Sequence, residues 1–353
     1  MREQPRSIEV WRSAAWQRRM RFAVGTFVSL GLLWLAFRGA DWRRAWETIR
    51  HANVWLLMIG LGTVVLTALQ KTARWRLMLF PHHGPIRLLR LFSIFLAGQV
   101  INAVIPARLG EVARAYLVGE SEGVSKAHAL WTTVVEKVLD TLTLLLFLAG
   151  ISAFVSLPPW LQGARWTLTL IIAAGLIILG LVVIRQARVT HWLEGLSQAH
   201  TWVQRFRLPY LLRVVADSLK LMRRPRLFWR LFAWSIVAFL TAAATNWIVA
   251  VALGLRLSYS ACLLLLAVLQ ISAVVPIPTS PGRVGLFHSL CVVSLAIFGV
   301  EREIALGYSL VLHVLVYLPM TVGGPIGIWR AGYDWRKVPG LLRDSRSANS
   351  GNS

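Results

Sequence analysis

The stretch INAVIPARLG at residues 101–110 recurs in two pieces later in the chain. Residues 271–276 read ISAVVP and residues 281–285 read PGRVG, so the second copy carries five additional residues. A proline removes a backbone donor and a glycine permits unusual dihedral angles, so a helix is expected to break at such a stretch. The sequence therefore predicts two interrupted helices at matched positions. The predicted helix breaks are Pro106, Gly110, Pro276, Pro281, Gly282 and Gly285.

Long apolar runs surround the two copies. The chain has 353 residues and is 56% hydrophobic, whereas soluble domains have roughly 45–50% apolar residues. A membrane span needs about 20 apolar residues. We predict an all-α integral membrane protein with about six full spans and two re-entrant broken-helix hairpins (88–119 and 258–299). The predicted spans are 22–37, 53–70, 128–155, 166–184, 228–253 and 304–329.

The distribution of basic residues gives an orientation. The net charge is +23, and 26 of the 38 Lys and Arg residues lie in four stretches that flank apolar runs: 1–21, 71–90, 185–230 and 330–346. This is the positive-inside pattern of cytoplasmic loops, and it argues against nucleic-acid binding. We predict a multi-pass protein of a bacterial-type inner membrane with both termini cytoplasmic. The predicted organisation is a basic lead (1–21), a single transmembrane domain (22–330) and a polar tail (331–353).

Residues 185–227 carry apolar side chains at helical spacing with Lys and Arg between them. A basic amphipathic helix of this kind binds an anionic leaflet. The alternative is a linker helix that packs under the bundle.

In this orientation the first copy of the repeat enters from the cytoplasm and the second from outside. Interrupted helices that meet near the midplane form the substrate sites of secondary transporters with inverted repeats. Arg108 and Arg283 would then lie at matched places, and a phosphate head group is a natural ligand for a guanidinium group. The alternative is that both hairpins are ordinary short loops whose arginines extend to the interface.

Three charged residues, Glu136, Lys137 and Asp140, lie inside the span 128–155. A charge at mid-helix costs about 2.5–3.5 kcal/mol on insertion scales, so each of them needs a partner. We expect Lys137 to neutralise Asp140 at i,i+3 spacing, and Glu136 to pair with Arg108 or Arg114. The predicted substrate-binding residues are Asn102, Arg108, Glu111, Arg114, Glu136, Lys137, Asp140, Arg283 and His288. The alternative is an ion-pair network that only locks the hairpin to the span.

Three motifs in order carry a family resemblance. Asn102…Pro106-x-Arg108-x-Gly110-Glu111-x-x-Arg114, then Val135-Glu136-Lys137-x-x-Asp140, then Pro281-Gly282-x-x-Gly285 resemble the membrane domain of lysylphosphatidylglycerol synthase/flippase proteins, over residues 20–330. The resemblance implies movement of lipids or lipid-linked groups between leaflets. Three positions depart from the family pattern: Lys137 replaces an Arg, Arg283 a Gly and His288 a Glu.

The predicted function is therefore translocation of an anionic phospholipid or a lipid-linked intermediate. No catalytic residue, metal or cofactor is expected, and the expected partners are membrane lipids and a lipid synthase. The resemblance does not extend to the soluble aminoacyl-transfer domain of the fused relatives, so we do not expect this chain to synthesise a lysyl-lipid by itself. Two alternatives stay open: an intramembrane lipid-modifying enzyme with Glu136 or Asp140 as general base, and a non-catalytic scaffold that docks a partner through 185–227.

Overall fold

The structure is a computed structural model that describes residues 27, 29–31, 33–35, 37–79, 86–104, 109–154, 170, 174, 225–274 and 281–330. Within these ranges all regular structure is helical, which confirms the all-α prediction. Continuous α-helices are α1 (Trp42–Arg50), α2 (Val54–Leu79), α3 (Leu88–Val104), α4 (Gly110–Glu122), α5 (Lys126–Phe154), α6 (Pro225–Ala252), α7 (Tyr259–Val274), α8 (Val284–Ala296) and α9 (Arg302–Arg330). Among the described helices, α2, α6 and α9 are long and apolar enough to cross a membrane.

The two copies of the repeat form two pairs of short helices. In the first pair α3 has 17 residues and α4 has 13. In the second pair α7 has 16 residues and α8 has 13, and a 3-10 turn (Pro281–Arg283) leads into α8. Of the predicted break residues, Gly110 is the first residue of α4, Gly285 lies in the first turn of α8, and Pro281 and Gly282 lie in the 3-10 turn. Pro106, Arg108 and Pro276 lie outside the described residues.

Helix α2 corrects the prediction for residues 53–90. We expected the span to end at residue 70 and a basic cytoplasmic loop to follow. The helix instead continues to Leu79, and it includes Lys71, Arg74 and Arg76. Arg74 is buried although it is charged, with a side chain that is only 1% exposed. The helix continues through the basic residues because Arg74 meets carboxylates on α5.

Close packing without large side chains joins the long helices to the short ones. Three glycines of α9 lie so close to α3 that an added Cβ atom would be 2.5 Å or less from an atom of α3. The nearest atoms belong to the Leu96 side chain for Gly323, to the Val100 side chain for Gly324 and to the Ser93 carbonyl group for Gly327. Small residues at such contacts let helix backbones approach each other in membranes. Helix α9 is therefore held against the first repeat pair.

Other predicted elements fall largely outside the description. Within 22–37 the described residues Phe27, Ser29–Gly31, Leu33–Leu35 and Phe37 are helical. In the predicted span 166–184 only Leu170 and Ala174 are described, and both are helical. The basic loop 185–227 lies outside the described residues up to position 224, and so do the lead and the tail.

Candidate functional site

A cavity of about 390 Å³ lies where the two repeat pairs meet. The first pair contributes Asn102 and Ala103 at the end of α3, and the second contributes Ser272 of α7 with Gly282 and Arg283 of the 3-10 turn. Helices α2, α5, α6 and α9 close the remaining sides. Ligand-binding pockets typically measure about 300–1,000 Å³, so this cavity has room for a small polar group and the atoms next to it.

The lining of the cavity combines a charged set of side chains, the charged wall, with uncharged polar and apolar ones. The charged lining residues are Lys71, Glu111, Glu136, Lys137, Asp140 and Arg283. The apolar lining residues include Phe239, Leu266, Phe287, Leu312 and Val316, and uncharged polar residues such as Gln99 and Asn246 also line the cavity. An amphiphile likewise combines a polar group with a hydrocarbon part.

Arg74 lies behind the charged wall and holds two carboxylates of α5. Its Nη1 donates to Asp140 Oδ1 at 2.6 Å and to Ser235 Oγ at 2.5 Å. Its Nη2 lies 3.3 Å from Glu136 Oε1. A buried carboxylate is tolerated only when its charge is paired and its oxygens accept hydrogen bonds. Arg74 thus fixes the positions of Glu136 and Asp140.

Arg114 of α4 holds the other oxygen of Glu136. Its Nη2 donates to Glu136 Oε2 at 2.6 Å, and its guanidinium carbon lies 4.4 Å from the centre of the Trp75 ring. Trp75 is itself fixed by a 2.9 Å hydrogen bond from its Nε1 to Thr132 Oγ1. The pair that we predicted between Arg114 and Glu136 is therefore present, and both Glu136 oxygens have arginine partners.

One predicted pair is wrong. Lys137 does not neutralise Asp140; its Nζ lies 3.4 Å from Glu111 Oε1 on α4, and Asp140 is held by Arg74. Sequence reasoning missed Arg74 because we placed it in a loop. The sequence did contain a signal for Arg74. The two carboxylates on one face of α5 need two cations, and Lys71 and Arg74 follow the apolar run of α2 at i,i+3 spacing.

A glycine at the start of α4 brings the first repeat pair together. A Cβ atom on Gly110 would lie 2.0 Å from the Gly98 carbonyl oxygen of α3. The Gly110 N–H donates to Asn102 Oδ1 at 2.7 Å, which caps the first turn of α4. At the matched position of the second pair, the Gly285 N–H donates to Ser29 Oγ at 3.1 Å, and an added Cβ would lie 2.1 Å from the Ser29 carbonyl oxygen.

Arg283 has a left-handed backbone conformation that residues other than glycine rarely adopt. Its φ angle is +51°, directly after Gly282 at +69°. This conformation costs about 1–2 kcal/mol for a residue other than glycine. The turn is held by the Tyr317 hydroxyl, which donates to the Gly282 carbonyl oxygen at 2.8 Å, and by Arg283 Nη1, which donates to the Ser272 carbonyl oxygen at 3.4 Å.

His288 lies behind the cavity wall. Its Nδ1 shares a 2.8 Å hydrogen bond with Ser309 Oγ, and its ring centroid lies 5.1 Å from that of His313.

Of the predicted site residues, Asn102, Glu111, Glu136, Lys137, Asp140 and Arg283 line the cavity. Arg114 lines an adjoining pocket of about 60 Å³, and Arg108 lies outside the described residues.

Apolar helices and a charged cavity between them define a multi-pass α-helical membrane protein. Residues 22–324 match the family described as the lysylphosphatidylglycerol synthase TM region, and the chain belongs to this family. A UPF0104 membrane protein of Methanothermobacter thermautotrophicus is 28% identical over 159 residues, which are 42% of this chain and 47% of that protein. The chain thus matches about half the length of this curated relative. No solved structure matches the chain.

Proposed function

We propose that this protein is a membrane lipid translocase that moves an anionic phospholipid or a lipid-linked intermediate between leaflets. The observation that carries the proposal is that both repeat pairs line the same cavity, whose lining combines charged and apolar side chains. The family is named for the transmembrane region of a lipid synthase, which is consistent with a lipid-related role.

The physical basis is an inverted arrangement of the two pairs. On the charge-based orientation, α3–α4 enter the bilayer from the cytoplasm and α7–α8 from the other side as re-entrant hairpins. Backbone that is not helical is tolerated at membrane depth only against protein or water. A cavity between two such breaks gives a polar head group a path while the acyl chains stay in the lipid. Rocking of one repeat against the other would open this cavity to each leaflet in turn.

Arg283 is the residue that we expect to contact the head group from the second pair. It lines the cavity in a left-handed conformation that costs stability. Strained residues of this kind concentrate at functional sites. Replacement by glycine removes the charge and the hydrogen bond to Ser272 but relieves the strain, so a loss of lipid movement without a loss of stability would be assigned to the charge.

The alternative of a lipid-modifying enzyme is less well supported. A general base needs a free oxygen to accept a proton from its substrate. Both Glu136 oxygens contact arginines, which argues against Glu136, whereas Asp140 accepts from Arg74 through Oδ1 only, so this alternative would depend on Asp140 Oδ2. The scaffold alternative depends on the loop 185–227, which lies outside the described residues except for 225–227.

The test is lipid movement in proteoliposomes that contain the purified full chain. Fluorescent phosphatidylglycerol in the inner leaflet becomes accessible to a membrane-impermeant quencher only after it crosses. We expect crossing to be faster than in protein-free vesicles, and Arg283→Gly to reduce the rate while it preserves the melting temperature. The matched control is Arg256→Gly, because Arg256 is exposed between α6 and α7, away from the cavity.

Two results would contradict the proposal. One is a wild-type rate equal to that of protein-free vesicles for phosphatidylglycerol and for a polyprenyl phosphate. The other is an Arg283→Gly variant that moves lipid as fast as the wild type.

A further inference from the structure

Lys71 of α2 is a cavity residue that the sequence motifs did not include. Val64, Thr67, Ala68 and Lys71 all line the cavity, and their i, i+3, i+4, i+7 spacing makes them one face of α2. Lys71 is the last residue of this face to reach the cavity. Lys71 is therefore one of the charged residues that line the cavity.

The partners of the neighbouring cations show what is particular about Lys71. Arg74 and Arg114 contact Glu136, and Arg74 also contacts Asp140. Lys137 contacts Glu111. Lys71 Nζ, in contrast, has no hydrogen bond or salt bridge to any residue in the described ranges.

Charge balance indicates that an anion completes this group. Among the described residues, five cations (Lys71, Arg74, Arg114, Lys137 and Arg283) line or border the cavity with three carboxylates (Glu111, Glu136 and Asp140), which leaves two positive charges in excess. An uncompensated charge at membrane depth is costly, and such residues pair with other groups or mark the path of a substrate. A phosphodiester has one negative charge and oxygens that accept from an ammonium group.

We infer that Lys71 Nζ binds the phosphate group of the ligand in this cavity. The inference rests on the proposed function, and it adds the group of the lipid that is recognised and the residue that recognises it. Arg74 acts as a positioning residue: it holds Asp140 and Glu136, so that neither carboxylate forms an ion pair with Lys71. The phosphate could belong to a phospholipid head group or to free phosphate, and binding experiments separate these sources.

The test is calorimetric titration of the purified full chain in non-ionic detergent with dihexanoyl-phosphatidylglycerol. We expect Lys71→Gln to weaken binding roughly 10- to 100-fold, as for loss of one charge-assisted hydrogen bond. Lys126→Gln is the matched control, because Lys126 is 47% exposed and pairs with Glu120 on the surface. Dihexanoylglycerol has no phosphate and should bind equally to the wild type and to Lys71→Gln.

The outcomes separate the phosphate source and test the inference. Competition by inorganic phosphate in the wild type, absent in Lys71→Gln, supports Lys71 as a ligand of free phosphate. Loss of lipid affinity in Lys71→Gln without such competition assigns Lys71 to the phosphodiester of a lipid. Equal affinity of Lys71→Gln and the wild type for dihexanoyl-phosphatidylglycerol would overturn the inference.

A second measurement needs no variant and covers the case in which Lys71→Gln fails to fold. Reductive methylation of the wild type, read by mass spectrometry, should modify Lys71 and Lys126 without ligand. Dihexanoyl-phosphatidylglycerol should protect Lys71 and leave Lys126 modified. Equal modification of Lys71 with and without this lipid would count against phosphate binding at Lys71.

Binding through Lys71 without lipid movement in proteoliposomes would refute only the translocase. Normal movement by Lys71→Gln would refute only the role of Lys71.

Discussion

The Arg74→Met variant tests whether the buried ion network holds the charged wall of the cavity in place. Arg74 contacts Asp140 Oδ1 at 2.6 Å and Glu136 Oε1 at 3.3 Å, and its side chain is 1% exposed. Removal of one partner from a buried ion pair typically costs about 3–5 kcal/mol, because the other charge stays buried without compensation. We expect a loss near the lower end of this range: Asp140 loses its only salt bridge to a described residue, but it is 18% exposed and Lys71 lines the same cavity, while Arg114 still pairs with Glu136.

Equilibrium unfolding by SDS in mixed micelles measures this loss. The control is Arg76→Met on the same helix, because Arg76 is half-buried and has no ion pair within the described ranges. Combining Arg74→Met with Asp140→Asn removes the uncompensated charge, so the double variant should recover about 0.5–3 kcal/mol relative to additive losses. A loss below about 1 kcal/mol for Arg74→Met, the size of a typical exposed ion pair, would refute the reasoning.

Three further predictions concern the two helix breaks, and the same unfolding measurement applies to each. Gly110→Ala and Gly285→Ala should each cost about 1–3 kcal/mol or more, because the added Cβ would lie about 2 Å from a backbone oxygen. Gly62→Ala is the control, with open space at its Cβ and an expected gain of up to about 1 kcal/mol; equal effects at the three glycines would contradict the packing. Asn102→Ala should cost about 0.5–2 kcal/mol by removing the cap of α4, and Asn102→Asp should cost less because it keeps the acceptor oxygen. Tyr317→Phe should cost about 1 kcal/mol by removing the hydrogen bond to the 3-10 turn, and an unchanged stability would show that this bond does not hold the turn.

The all-α fold class could be predicted from the sequence because it depends on local features. Apolar runs predict the helices, and the Pro and Gly motifs lie next to the start of α4 at Gly110 and in the 3-10 turn at Gly282. Helix ends were less predictable. A charged residue ends an apolar run in the sequence, but the helix continues through that residue when its side chain has an oppositely charged partner. Arg74 is the example: its burial depends on Asp140, 66 positions away.

The site was predicted in part for the same reason. Glu136 needed a cation, and Arg114 was one of two candidates that the motif spacing offered. The partner of Lys137 was not predictable from spacing, since an i,i+3 neighbour on the helix competes with Glu111 on the next one. The sequence alone could not identify Lys71 as a candidate ligand-binding residue. That inference depends on the cavity that Lys71 lines and on the carboxylates that the neighbouring cations contact.

The most direct test of the central claim asks whether the two repeat pairs share one ligand site. Single cysteines at Ala103 and Ser272, one from each pair, are introduced with Cys262 and Cys291 replaced by alanine, and a thiol reagent measures their accessibility. We predict that dihexanoyl-phosphatidylglycerol protects both cysteines with the same half-protecting concentration and leaves a Ser258→Cys control, on the exposed turn before α7, unprotected. Protection of one position alone, or of neither, would contradict a shared site between the repeats.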